Sequence, residues 1–288
     1  MNPQQILTVP KVPQRSQDAH KGDVGRIVVF GGSWGEVGMI GAPSLSANAA
    51  LKSGAGLVQI ITQREAMPMV APLAPCATTR CLNPEVELSK QAVEFGADVV
   101  AIGPGLGQSI QPAAIAALLT EYSGGIVVDA DALNALATVG NWAAGWPDNV
   151  VLTPHPGEFQ RLLDGLGVSE CDRDNRIDAA VALAVRTGVT VVLKGHCTVV
   201  ATREQYYVNQ TGNAGMATAG TGDVLTGVIA ALMGQGMSAM DAAILGVHAH
   251  GLAGDAAAAH HGRISMTALD LLDALAEAFS DLEHEAHR

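Results

Sequence analysis

The sequence predicts an α/β fold built on a mostly parallel central sheet with helices on both faces. Three observations predict it. Short runs rich in Val and Ile recur along the chain, each ended by Gly or a polar residue, as fully buried parallel strands require. Helical patterns separate them in a strand–helix–strand rhythm. The residues with distinctive chemistry fall just after those runs, where open parallel sheets bind ligands. Of the 288 residues 48% are hydrophobic but only 3% aromatic, so the core must be made of Ala, Val, Leu and Ile with helices close to the sheet.

The strand runs are RIVVFGG (26–32), GLVQIIT (56–62), DVVAIG (98–103), GIVVDA (125–130), NVVLTP (149–154) and TVVLKG (190–195). Helical patterns lie at 43–53, 111–122, 156–164 and 172–187. After Lys194 the rhythm changes. CTVVAT and EQYYVNQ lie close together and read as an antiparallel hairpin added at the sheet edge. Three helical stretches follow, at 222–234, 238–260 and 267–284, the last amphipathic through Leu269, Leu272, Leu275 and Phe279. No repeat or linker divides the chain, so a single domain over 1–288 is expected, with ragged ends at 1–20 and 285–288.

The net charge of −12 and the lack of any basic run exclude non-specific nucleic-acid binding, which needs Lys and Arg to neutralise phosphates. Any bound phosphate must rely on backbone N–H groups, a helix N-terminus and one or two lysines. Cys76, Cys81, Cys171 and Cys197 form no C-x-x-C pair and read as free thiols of a cytoplasmic protein. The Ala-rich stretch 242–259 is interrupted by His248, His250 and Asp255, so no membrane span is expected. His248, His250, His260 and His261 do not gather at one point on a helix and are taken as structural.

Five strand ends converge on one expected site. GGSWGEVGMIGAP (31–43) and IGPGLG (102–107) supply glycines for close backbone approach, although the second serves equally as a tight turn. VVDADALN places Asp129 and Asp131 two apart; they suit a Mg²⁺ held through water, and Asp131 suits a helix cap as well. In TPHPGEF, two prolines present His155 for ligand contact. Glu158 sits in the first helical turn, where it complements the helix dipole and is the candidate to reach a metal through water. LKGHCT ends a buried strand with Lys194, which suits phosphate or a snorkelling position at the sheet margin. Finally, Gly220, Thr221 and Gly222 can turn their N–H groups into an anion hole at the start of a helix. Asp223 beside them suits a general base for a hydroxyl attacking phosphorus, with an N-cap as the alternative.

Gly220-Thr221-Gly222-Asp223 opening a late helix, after a parallel α/β region, resembles the ribokinase-like superfamily. KGDVGRIVVFGGS, GAP, AALKSGAGLV, GPGLG, VVDADALN, LTPHPGEF, LKG, GNAGMATAGTGDVLTGVIAALM and GVHAHGLAGDAA together resemble the ADP-dependent NAD(P)H-hydrate dehydratases, over residues 21–258. The resemblance implies a three-layer ribokinase-like fold. It also implies dehydration of the S-epimer of hydrated NADH or NADPH to NAD(P)H, with release of AMP and phosphate. ADP is the implied phosphoryl donor, with ATP as the alternative, and Mg²⁺ bridges the phosphates. It assigns Ala42, Gly105 and His155 to the hydrate; Lys194, Gly195, His196, Cys197, Thr198 and Gly222 to the nucleotide; and Asp223 to the hydrate and the proton. It further implies a homotetramer and a functional link to an NAD(P)H-hydrate epimerase. The first motif begins near residue 21, so no epimerase domain is expected here and the epimerase is expected on a separate chain. The competing reading is a small-molecule kinase of vitamin or sugar metabolism using the same site.

Overall fold

The computed structural model describes residues 3–139, 146–169, 171–172 and 174–285. In chain order the first half holds β1 (Gln4–Gln5), β2 (Arg26–Phe30), α1 (Gly41–Lys52), β3 (Leu57–Thr62), α2 (Met67–Val70), β4 (Thr78–Cys81), α3 (Leu88–Phe95), β5 (Val99–Ile102), α4 (Pro112–Glu121), β6 (Gly125–Val128) and α5 (Ala130–Val139). The second half holds β7 (Val150–Leu152), α6 (Pro156–Gly165), α7 (Arg176–Thr187), β8 (Thr190–Leu193), β9 (Val199–Ala201), β10 (Gln205–Val208), α8 (Thr221–Gly234), α9 (Ala239–His261) and α10 (Ala268–Glu285).

All the strands join one sheet, in the order β1-β10-β9-β8-β7-β6-β5-β2-β3-β4. From β4 to β8 every pairing is parallel; β8–β9 and β9–β10 are antiparallel. Strand β2 is the switch point. The chain winds from it to β3 and β4 on one side and to β5 through β8 on the other, which opens a crevice beyond the carboxyl ends of β2 and β5.

The strands are apolar on both faces, and alternate residues feed two cores. Ile27 and Val29 pack with buried residues of α1, α8, α9 and α10. Val28 and Phe30 pack with residues of α3, α4, α5, α6 and α7. The expected three layers and mostly parallel sheet are therefore present.

Several boundaries differ from expectation for local reasons. The helix expected from residue 172 starts at Arg176, because the Asn175 side chain caps it by accepting from the N–H groups of Ile177 and Asp178. The hairpin β9–β10 forms as expected but is not the sheet edge. Strand β1 pairs with β10 in parallel, and Ile6, Val9 and Val12 pack against the core, so residues 4–12, expected ragged, lie along the fold. Helix α10 runs on to Glu285, and residues 286–288, also expected ragged, lie outside the described residues. Strand β4 carries TTRC, without the Val and Ile that mark the interior strands, and escapes a hydrophobic reading.

No helix among the described residues is long and apolar enough to cross a membrane. The four cysteines are free.

Candidate active site

Parallel strands end on the same side of the sheet, so the segments after β2, β5, β6, β7 and β8 share one rim. Asp129, just after β6, is its fixed point. The side chain is buried, and three donors hold it: Thr153 Oγ1 and Lys194 Nζ at 2.8 and 2.6 Å from Oδ1, and Thr226 Oγ1 at 2.8 Å from Oδ2. Three strand ends and α8 are thus knotted around one carboxylate. Lys194 Nζ also lies 4.0 Å from Glu158 Oε2. Burial works against the lysine's charge, yet Asp129 and Glu158 hold its pKa above the ordinary value. The anion that Lys194 was expected to find in a phosphate is first of all Asp129, and the snorkelling alternative falls away.

Helix α8 begins at Thr221 behind Gly220, whose φ of +93° favours glycine, and no side chain caps it. The Thr221 hydroxyl closes the preceding loop instead, donating to the carbonyls of Met216 and Thr218 at 3.0 and 3.1 Å. Asp223 is therefore not the cap of its helix. Burial first, and then Asp129, push its carboxyl pKa up to about 7 against the opposing pull of Lys194. Lys194 reaches the same place: a Cβ on Gly222 would stand 3.2 Å from its Nζ. Beneath the turn, burial lowers the pKa of His250 to about 4, so the ring is neutral and its Nε2 donates to the Thr221 carbonyl at 2.9 Å. Of the other three histidines of α9, His260 faces Glu277 and His261 faces Asp270 at its exposed end, while His248 is half-buried.

In the β2–β5 crevice, Ala42 and Gly105 are neighbours. A Cβ on Gly105 would stand 3.1 Å from Ala42 Cβ and 2.5 Å from the Met39 carbonyl oxygen. Asp131 uses Oδ2 to accept from Gly107 N–H at 2.8 Å, which ties the GPGLG loop to α5.

His155 has a structural role that its sequence context does not advertise. It is the N-cap of α6, with Nδ1 accepting from Gly157 N–H at 2.9 Å and from Glu158 N–H at 3.4 Å. Glu158 Oε2 accepts from His155 N–H at 2.8 Å and completes a capping box. His155 Nε2 lies 3.2 Å from Glu158 Oε1, and about half of the His155 side chain stays exposed. Histidine is an unusual cap, which is why the sequence points only to ligand contact. Burial raises the pKa of Glu158 and lowers that of His155.

The segment Lys194, Gly195, His196, Cys197 and Thr198 forms one closed turn between β8 and β9. Gly195 N–H donates to Thr198 Oγ1 at 3.3 Å, and that hydroxyl donates back to the Gly195 carbonyl at 2.9 Å. Cys197 takes φ of +53°, a rare value away from glycine, and its Sγ lies 3.5 Å from His196 Nε2.

Sequence reasoning missed Thr153 and Thr226, which hold Asp129. Each sits next to a marked position, Thr153 before Pro154-His155-Pro156 and Thr226 one turn beyond Gly222, but a threonine carries no signal of its own. The described residues assemble no group of three or more His, Cys, Asp or Glu able to hold a metal, and the oxygens of Glu158 are committed to the α6 cap. The residues present do not fit a dedicated protein-bound metal. A separate groove of about 560 Å³, lined by Arg15, Lys52, Gln235 and Glu283 among others, contains none of these groups.

The NAD(P)H-hydrate dehydratase family profile matches residues 27–277. The chain belongs to the NAD(P)H-hydrate dehydratase family. It is 44% identical over 287 residues to a bifunctional NAD(P)H-hydrate repair enzyme of Moorella thermoacetica, covering 96% of this chain and 53% of that protein. It is 42% identical over 258 residues to an ADP-dependent (S)-NAD(P)H-hydrate dehydratase of Neisseria meningitidis, covering 88% of this chain and 84% of that one. The chain thus spans about half the length of the bifunctional relatives it matches. An ADP/ATP-dependent NAD(P)H-hydrate dehydratase from Bacillus subtilis, co-crystallised with ATP and Mg²⁺, superposes with a TM-score of 0.78 at 31% identity over 95% of both chains. The ribokinase-like fold expected from the sequence is the one these solved structures share.

Proposed function

We propose that this chain is an ADP-dependent NAD(P)H-hydrate dehydratase, a carbon–oxygen lyase that returns the S-epimer of hydrated NADH or NADPH to the working cofactor. The observation that carries the reading is Asp223: a carboxyl with a pKa of about 7 at an uncapped helix start, beside Lys194. The terminal phosphoryl group of ADP is received by the N–H groups of Gly220, Thr221 and Gly222. Ala42, Gly105 and the exposed side of His155 border the hydrate, and the 194–198 turn holds the rest of the nucleotide.

Asp223 accepts the proton of the ring hydroxyl as its oxygen attacks the terminal phosphorus. The bond from that phosphorus to the bridging oxygen breaks, and AMP leaves. The carbon–oxygen bond of the phosphorylated ring then breaks, phosphate departs, and proton loss from the neighbouring carbon restores the double bond. Hydrate and ADP thus end as NAD(P)H, AMP and phosphate, the hydroxyl oxygen of the hydrate leaving on the phosphate. Mg²⁺ would travel with the nucleotide phosphates and meet Glu158 only through water. ATP is the alternative donor. The free thiols support a cytoplasmic setting. A functional link to an NAD(P)H-hydrate epimerase and a homotetrameric assembly complete the reading.

The test mixes hydrated NADH with the protein, Mg²⁺ and either ADP or ATP and follows the return of reduced-nicotinamide absorbance. Recovery with release of AMP and phosphate supports the reading. A stable phosphorylated product without recovery would place the chain with the small-molecule kinases instead.

A further inference from the structure

Arg176 opens α7 directly beneath the 194–198 turn, and stability alone does not account for it. A cation at the first position of a helix meets the positive end of the helix dipole. The guanidinium is half-buried, which lowers its pKa. No acidic side chain among the described residues pairs with it, and its Nε is buried without a hydrogen-bond partner. Such a group is costly to keep unless its remaining contacts serve a purpose.

Those contacts all go to one segment. Nη2 donates to the carbonyls of Leu193 and Lys194, at 2.9 and 3.2 Å. Gly195 adopts φ of +142°, and a Cβ there would stand 3.2 Å from both Nη1 and Nη2. Cys197, at the far end of the turn, is within electrostatic reach. The guanidinium plane fills the underside of the turn, and glycine at 195 leaves room for it. Of the two carbonyls it grips, the second belongs to the residue whose Nζ stands beside Asp129 and Gly222.

We propose that Arg176 is a positioning residue for the nucleotide. By holding two successive carbonyls at the end of β8, it fixes the 194–198 turn and aims Lys194 at the anion hole. Its charge adds a positive field under the phosphates. The planar, forked donor set is what lysine lacks, so a conservative exchange restores charge without restoring the grip. The inference rests on the proposed nucleotide role of that turn.

The test compares wild type, Arg176→Met, Arg176→Lys and Arg176→Ala by calorimetric titration with Mg²⁺·ADP, by steady-state kinetics and by thermal melting. In Arg176→Met, Kd and KM for ADP rise by about 10–100-fold, the range for a misplaced binding element, while KM for the hydrate stays near wild type. Arg176→Lys melts close to wild type and still shows raised KM for ADP. Ethylguanidinium added to Arg176→Ala recovers part of the ADP affinity. Variants that fold and bind ADP as wild type does would overturn the inference while leaving the nucleotide role intact. A wild-type protein that binds no ADP would overturn the nucleotide role first and this inference with it.

Discussion

Replacing Asp223 with Asn should make the protein more stable and far less active, and the gain should depend on pH in a calculable way. In the folded protein the carboxyl titrates near pH 7 rather than at its ordinary 3.8. Below pH 4 both states carry the proton and the site costs nothing. As pH rises, the unfolded chain releases its proton first and the folded one holds on, so stability falls between about pH 4 and 7 and then levels off. At about 1.4 kcal/mol per pKa unit, the shift sets an upper limit of about 4 kcal/mol. The carboxyl is only partly buried, so about 1–3 kcal/mol is expected after solvent screening. Asn removes the ionisation. At pH 8 the variant should melt about 2–5 °C above wild type, and the difference should shrink towards zero near pH 4. Turnover should fall by about 10²–10⁴-fold, the loss expected of a missing general base, with Mg²⁺·ADP binding retained. Thermal melting across pH, paired with the hydrate assay, measures both. A variant that melts lower than wild type by the same amount at every pH would mean that Asp223 supports its helix, and the argument would fail.

Other perturbations probe the surrounding knot. Lys194→Met strands Asp129 as a buried charge; urea unfolding at neutral pH should show a loss of about 3–5 kcal/mol, and a loss under 1 kcal/mol would mean that the two threonines suffice. Gly105→Ala forces a side chain to φ of +59° and against the Met39 carbonyl. It should raise KM for the hydrate while leaving ADP binding near wild type, and a rise confined to ADP would move Gly105 to the other half of the site. His250 should stay neutral down to about pH 4 by NMR titration. Because its folded pKa lies below the unfolded 6.5, it contributes stability that is lost as pH falls from about 6.5 to 4; a midpoint near 6.5 would contradict its burial. The pH profile of kcat/KM should show an acid limb near pH 7 from Asp223.

The parallel sheet was legible because its strands are pure runs of Val and Ile, and periodicity survives any detail of packing. Strand β4 was not, since TTRC is polar and half-buried, and β1 was not, since two glutamines become a strand only when β10 offers an edge. In the candidate site, glycines and single charges marked loops that the fold gathers along one rim of the sheet. What one sequence does not display is which partner each charge meets. Asp129 and Asp131 look alike in DADALN, yet one is buried under three donors and the other holds a neighbouring loop. His155 looked free because histidine is a rare cap, and only the fold brings Gly157 and Glu158 N–H to its ring.

The same limitation explains Lys194. Taken alone, a lysine at the end of a buried strand asks for an external anion. In the fold it faces Asp129 at 2.6 Å and Glu158 at 4.0 Å, with Asp223 also in its field. One cation cannot satisfy these carboxylates together. Asp129 has the short contact and two hydroxyl donors, so it takes the lysine, and Asp223, pushed up first by burial, is left with a pKa of about 7. That imbalance is what a general base needs, because a carboxylate fully satisfied by lysine would have no appetite for a proton. It also has a consequence for the nucleotide. A diphosphate brought into this acidic corner would meet Asp223 and Glu158 as well as Lys194, so its charge must be offset by the uncapped start of α8 and by a cation of its own. Under the proposed function the site would favour a nucleotide already carrying Mg²⁺ over the free anion, even though the described side chains assemble no metal cage.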